Sequence, residues 1–430
     1  MSKLRCFLCA AVCLFSTTVH AESVEITGPT MGTYFKVVVE NPPADFDGEA
    51  IQRLITARLE AINAQMSTWD ETSELSRFNA QQSTEWFGVS AELVTVVTEA
   101  QRIHELTSGA FDPSVEPLIR LWGFGDDRKK TIPEDGDIAA AQKRCGLQHL
   151  ESRSEPPALR KFMASLQVNL SAIAKGYAVD ELSRLLTDNG LPAHVVDIGG
   201  ENRVGAAKST GDVWKLGVES PLGGLQRVVH LTNSAVATSG DYRNYFQMDG
   251  ETYSHAIDPQ TGWPVKNPPA AVSVIADSCM TADAWATALM VQGVETGMAT
   301  ARANGLSVMF QQVDGDNIVE TRLGQFADDE TAVGNKQKSA TLPWFPFVAA
   351  AVLFILAIGG MAIGTMIQNK SLKGSCGGLA SMPGSEGKSI CELCTIPKDQ
   401  CTNAELREQM QAAEAARADS SAAMTDEPVA

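Results

Sequence analysis

Positive charge is what this chain has least of. Its 430 residues hold 34 Lys and Arg against 52 Asp and Glu, a formal net charge of −18. Nucleic-acid binding needs a basic face to meet phosphates, so nucleic acid is not an expected partner. Cysteine is nearly absent from the bulk of the chain. Only Cys145 and Cys279 fall between residues 14 and 375, and an oxidising compartment would allow them to pair. Charge of either sign is missing from Ser339 to Asn369. Within that stretch Phe347 to Ile367 is apolar enough to span a bilayer.

What is present divides the chain. Lys3 and Arg5 precede an apolar run from Cys6 to Phe15, and Val19-His20-Ala21 has the small-x-small pattern of a cleavage site. This is the pattern of a secretory signal over residues 1–21, and the run is too short to cross a core of about 30 Å. Cys13 has no small residue directly before it, so no lipid-attachment box is expected. Residues 22–326 form the large unit, 327–342 a polar linker, 343–367 a transmembrane helix, 368–405 a cysteine-rich segment and 406–430 an acidic, Ala-rich tail. Export of the first unit and a single span return the tail to the cytoplasm. Lys370, Lys373 and Lys388 on that side agree with the positive-inside rule.

Within the large unit, Tyr34 to Val39 reads as a strand. Ile51, Leu54, Ile55, Leu59 and Ile62 recur at helical spacing over 48–66, and a second helix is expected over 90–107. A turn and then a helix occupy 169–186, and a buried strand at 195–198 ends in Gly199-Gly200. Further strands are expected at 213–219, 227–232, 271–276 and 305–312, with a helix from Thr281 to Gln292. Without strict βα alternation the fold class is α+β.

Three patterns carry chemistry. Asp283 and Thr287 lie four apart, so both oxygens share one face of a helix. A carboxylate with a hydroxyl is a hard-oxygen set that suits Mg²⁺, although a helix-capping aspartate would look the same. Small residues around Asn169 to Asp180 let a backbone approach a ligand, and Lys175 could meet a phosphate as a point charge; a snorkelling surface lysine is the plainer reading. His255 stands near Asp258 and a turn, and could take a proton from a hydroxyl or be structural.

These patterns occur in order with others: Met31-Gly32-Thr33; Met66 to Trp69, leading to Ser73–Asn79; Ser108 to Pro113; Leu170 to Asp180; Asp197 to Glu201; Ala237 to Tyr242; Ser254 to Gly262; and Ala282 to Leu289. Together the eight blocks resemble the FAD:protein FMN transferase, or ApbE, family over about residues 24–325. The resemblance implies that FAD is split at its pyrophosphate, that FMN passes to a Thr or Ser hydroxyl of an acceptor protein, and that AMP leaves. It implies Mg²⁺ held by Asp283, Thr287 and the Ala172 carbonyl, with the Ala174 carbonyl as the alternative. Met31, Trp69, Ala110, Phe111, Asp112, Asn169, Lys175 and Ile257 match positions that line the FAD site. Trp69 stands where many relatives have tyrosine, and Asn169 where aspartate is frequent. His255, Asp283 and Lys175 are the implied catalytic groups. FAD binding or hydrolysis without transfer, and an assembly scaffold, are the other readings.

The tail carries Cys376, Cys391, Cys394 and Cys401, four thiols in 26 residues. In a reducing compartment such a cluster suits Fe or Zn better than disulfides. With the span and Lys373-Gly374-Ser375-Cys376-Gly377-Gly378-Leu379, it resembles the small maturation protein of the Na⁺-translocating NADH:quinone reductase over about 345–401, though the later cysteines are spaced differently. That resemblance implies iron supply to the reductase. Joined to the first, it implies reductase subunits as FMN acceptors, at a bacterial inner membrane with the transferase unit periplasmic and the cysteines cytoplasmic.

Overall fold

The chain enters the fold as a hairpin. β1 (Ser23–Thr30) and β2 (Thr33–Glu40) pair antiparallel from Ser23↔Glu40 to Thr30↔Thr33. Met31 and Gly32 alone connect them, with φ of 47° and 72°; positive φ at both central residues is the tight turn whose twist matches the strands. The structure, a computed structural model, describes residues 23–124, 132–240, 245–248, 251–254 and 256–328. The expected signal, span, cysteine segment and tail lie outside the described residues, as does His255.

Helix α1 (Gly48–Met66) starts where Asp47 accepts the Ala50 N–H and buries Ile51, Ile55, Leu59, Ile62 and Met66. α2 (Glu74–Ala80) is capped by Ser73. The short strand β3 (Phe87–Gly88) precedes α3 (Ala91–Leu106), which Ser90 caps. Two short helices follow, α4 (Glu116–Leu121) and α5 (Asp135–Gln142). β4 (Leu150–Ser154) and β5 (Pro157–Lys161) then join β3 in a small sheet of order β3-β5-β4. α6 (Ala174–Asp188) leads to β6 (His194–Ile198) and β7 (Glu201–Val204). The hairpin β8 (Trp214–Glu219) and β9 (Leu225–Leu231) stands before β10 (Ala235–Gly240). A second hairpin, β11 (Tyr245–Met248) and β12 (Glu251–Ser254), precedes β13 (Ala271–Ala276). The unit closes with α7 (Cys279–Ala303), β14 (Ser307–Asp314), β15 (Asn317–Leu323) and α8 (Gln325–Asp328).

The main sheet has eight strands in the order β1-β2-β6-β7-β10-β13-β14-β15, every pairing antiparallel. One face meets α1, α3, α6 and α7 over the largest apolar core, with Phe35, Val37, Val196, Leu182 and Trp285 in it. The other face is covered by the β8–β9 hairpin and α8, where Trp214, Val218, Val229 and Phe326 pack on Val204 and Met309. A third cluster joins α4 and α5 to the loop around Ile257 through Trp122, whose Nε1 donates to the Gly262 carbonyl at 2.9 Å. This is the expected α+β architecture. Two boundaries moved. α7 runs past the expected end at Gln292, but Gly293, with φ 70°, interrupts it at that point. α8 carries order two residues into the expected linker, because Phe326 is fully buried. Cys145 and Cys279 are both buried, free and in separate clusters, so they do not pair. Among the described residues no helix is long and apolar enough to cross a membrane.

Candidate active site

The sheet gathers its motifs at one end. The β2–β6 register sets Phe35 opposite Ile198, so the Met31-Gly32 and Gly199-Gly200 turns are neighbours; a Cβ on Gly199 would lie 3.0 Å from Thr33 Cγ2. Glu201 opens β7 immediately after. β10 runs antiparallel to β7 with Val236 opposite Asn202, which carries Ser239 to the same end. Met31 is a non-glycine residue at positive φ and half-buried against the core, a strained position that marks this turn for function.

α6 and α7 close over that end and satisfy each other's N-termini. Asp180, in α6, accepts from Cys279 N at 2.9 Å, Met280 N at 2.9 Å and Ser278 Oγ at 2.8 Å. Asp283, in α7, returns the arrangement by accepting the Gly176 N–H at 3.0 Å. Those N–H groups have no partner inside their own helices. The approach is close because Gly176 has no side chain: a Cβ there would sit 2.4 Å from the Cys279 carbonyl oxygen.

Lys175 reaches into the same junction. Its Nζ is 2.6 Å from Glu201 Oε1 and 3.9 Å from Asp283 Oδ2. Burial pushes the Glu201 and Asp283 carboxyls above their ordinary range, and Lys175 opposes it. Burial also acts against the Lys175 charge, but the two carboxylates win and hold it above the usual lysine range. Thr287, one turn along α7 from Asp283, shares a 3.0 Å hydrogen bond with Ser239. Predicted Asp283, Thr287 and Lys175 are thus brought together. Glu201, Asp180 and Ser239 sit in motifs recognisable in the sequence, yet sequence alone gave them no role, since their partners lie far away in the chain.

The other predicted residues fall into groups. Trp69 is 79 % exposed, an open aromatic face. Ala110 is half-buried, whereas Phe111 is in the core, with its N–H on Thr107 Oγ1 and its carbonyl on His104 Nδ1. Asp112 accepts from Ser114 N and Oγ and from Leu147 N, so it organises its own loop. Asn169 accepts Ser171 N at 3.0 Å and donates to Glu116 at 2.8 Å. Ile257 is buried in the cluster with Trp122. Ala172 precedes α6. Ile173 is the N-cap of α6 and its carbonyl accepts the Tyr177 N–H, so the Ala172 carbonyl lies outside the helix's own ladder.

A divalent cation fits this donor set. Among the described residues no three His, Cys, Asp or Glu side chains converge as a metal cluster. A metal would instead rest on one carboxylate, a hydroxyl, the Ala172 carbonyl and waters that ligand oxygens can replace, the arrangement that suits Mg²⁺ beside phosphates. Cys376, Cys391, Cys394 and Cys401 lie outside the described residues.

Residues 31–310 match the model of the ApbE family, and residues 365–415 match the family described as (Na+)-NQR maturation NqrM. The FAD:protein FMN transferase of Vibrio cholerae serotype O1 is 43 % identical over 310 residues, 71 % of this chain and 92 % of that protein. That of Escherichia coli K12 is 36 % identical over 314 residues, 71 % of this chain and 89 % of that one. The solved flavin transferase ApbE from Vibrio cholerae has a TM-score of 0.66 at 41 % identity, over 72 % of this chain and 99 % of its own. The apo flavinyl transferase ApbE of Pseudomonas stutzeri gives 0.66 at 36 %, over 72 % and 96 %. The chain belongs to the ApbE family.

Proposed function

We propose that this chain is an Mg²⁺-dependent FAD:protein FMN transferase that esterifies a threonine or serine of an acceptor protein. The observation that carries the reading is the junction of α6 and α7, where Asp283, Thr287 and Lys175 converge in an ApbE-family chain. Lys175 binds the FAD pyrophosphate as a fixed positive charge. Trp69 offers an open face for the isoalloxazine ring. Asp283, Thr287 and the Ala172 carbonyl hold Mg²⁺, which when bound neutralises charge developing on the transferred phosphoryl group. His255 takes the proton from the acceptor hydroxyl as its oxygen bonds to the FMN phosphorus. The bond from that phosphorus to the bridging oxygen breaks, and AMP departs. Positioning and electrostatics supply most of the rate.

The second family match, at residues 365–415, supports subunits of the Na⁺-translocating NADH:quinone reductase as acceptors. On this reading the chain sits in a bacterial inner membrane through residues 343–367, with the transferase unit periplasmic. The tail cysteines then assist iron delivery to the same complex. The test mixes the full chain with FAD, Mg²⁺ and candidate reductase subunits and follows the intact mass of each. A metal-dependent gain of one FMN is expected, and it is lost in Asp283→Asn, which keeps an acceptor for Gly176. FAD cleavage to FMN and AMP with no mass gain would replace transfer by hydrolysis.

A further inference from the structure

Glu201 has no place in the steps above, yet it is the carboxylate that Lys175 meets. The separation is 2.6 Å, against 3.9 Å to Asp283. Glu201 is only 4 % exposed and its Oε2 has no hydrogen-bond partner, so the burial of this carboxylate is compensated chiefly by Lys175. Asp283 engages one oxygen with Gly176 N, and among the described residues no donor reaches the other. Two acids thus share one ammonium, unequally. The holder is rigid: Glu201 opens β7, which is fixed to β6 from Ile198↔Glu201 to Val195↔Val204.

We propose that Glu201 is a positioning residue that keeps the Lys175 ammonium off Asp283 and so leaves the free Asp283 oxygen available to a divalent cation. The proposal rests on the cation reading of Asp283 given above. Opposite charges attract far more strongly in a buried site than in water. An ammonium released from Glu201 closes on Asp283, the nearest remaining anion, and competes with the metal for it.

The test uses the full chain in detergent with Mn²⁺ as the probe, without FAD or acceptor. Binding is read from the loss of the free Mn²⁺ resonance. E201Q keeps the shape and an acceptor but removes the charge, and is expected to weaken Mn²⁺ binding about tenfold or more, as loss of a supporting group commonly does. In a K175M background the same substitution is expected to change binding less than about threefold, since no ammonium remains to be released. K175Q serves in its place if K175M fails to melt cooperatively. An equal loss in both backgrounds would show that Glu201 acts through its own charge and would overturn the proposal, as would unchanged binding in E201Q. Wild-type binding in D283N, or none in the wild type, would overturn the cation reading itself.

Discussion

Gly176 and Gly136 are both helical glycines, and their surroundings set opposite outcomes for the same change. At Gly176 a Cβ would lie 2.4 Å from the Cys279 oxygen and 2.8 Å from Met280 Cα, backbone that cannot swing aside. Gly176→Ala is expected to cost about 1–3 kcal/mol by overpacking and to reduce FMN transfer further, because separating α6 from α7 moves Asp283 from Gly176 N. At Gly136, in α5, nothing lies within 4 Å of a Cβ and φ is ordinary. Gly136→Ala is expected to stabilise by about 0.4–1 kcal/mol, chiefly through the unfolded chain. Thermal melts of the two variants beside the wild type, with transfer assayed in parallel, check both. Sequence marks Gly176 as one small residue in a run of small residues. The backbone that forbids its replacement is about a hundred residues away, so the reason was not legible there. Asp283 and Thr287 were legible because their relation is local, four positions on one helix face. The burial of Phe111 and the loop-holding bonds of Asp112 depend on tertiary neighbours and were not.

At the scale of elements, α6 is held from two sides. Asp180 caps α7 and also pairs with Arg203 of β7 at 2.9 Å. Asp180→Ala is expected to cost about 1–2 kcal/mol for the cap alone, with more from the half-buried Arg203; urea denaturation measures it. Farther along α6, Ser183 bonds His194 Nε2 at 2.7 Å while Nδ1 bonds the Leu191 carbonyl at 2.7 Å. The carbonyl requires a proton on Nδ1, so neutral His194 accepts from Ser183. Burial, aided by Arg203 and opposed by the Leu191 bond, lowers its pKa. The unfolded chain therefore binds the proton first. Stability from this group is full above about pH 6.5 and falls as pH drops from there toward the lowered folded value. Denaturation midpoints at pH 7.5 and 5.5 are expected to separate, and His194→Gln to narrow the gap. Strong periodicity made α1, α3 and β2 readable, whereas α7 was read only as far as Gln292, where Gly293 interrupts it. β10 escaped because Ala235-Val236-Ala237-Thr238-Ser239-Gly240 is made of small residues, chosen for close packing under α7 rather than for strand patterning.

For the molecule as a whole, contacts divide the chain after Asn335, and the described part has its own core. A chain ending at residue 335 is expected to melt within about 1 °C of the same unit in the full chain, a shift under about 1 kcal/mol, when scanned calorimetrically. It is also expected to flavinylate acceptor in detergent solution while carrying no iron. The two-part plan was legible because a charge-free stretch and clustered thiols are compositional signals that need no tertiary contact. The reciprocal caps reach further than the site they build. The bond from Gly176 to Asp283 spans 107 positions of chain, and a chain made from its N-terminus outward gives the α6 N-terminus no such acceptor until α7 has followed. A ribosome-bound or prematurely ended chain that stops short of α7 therefore lacks the junction, and cannot consume FAD until that helix has been synthesised.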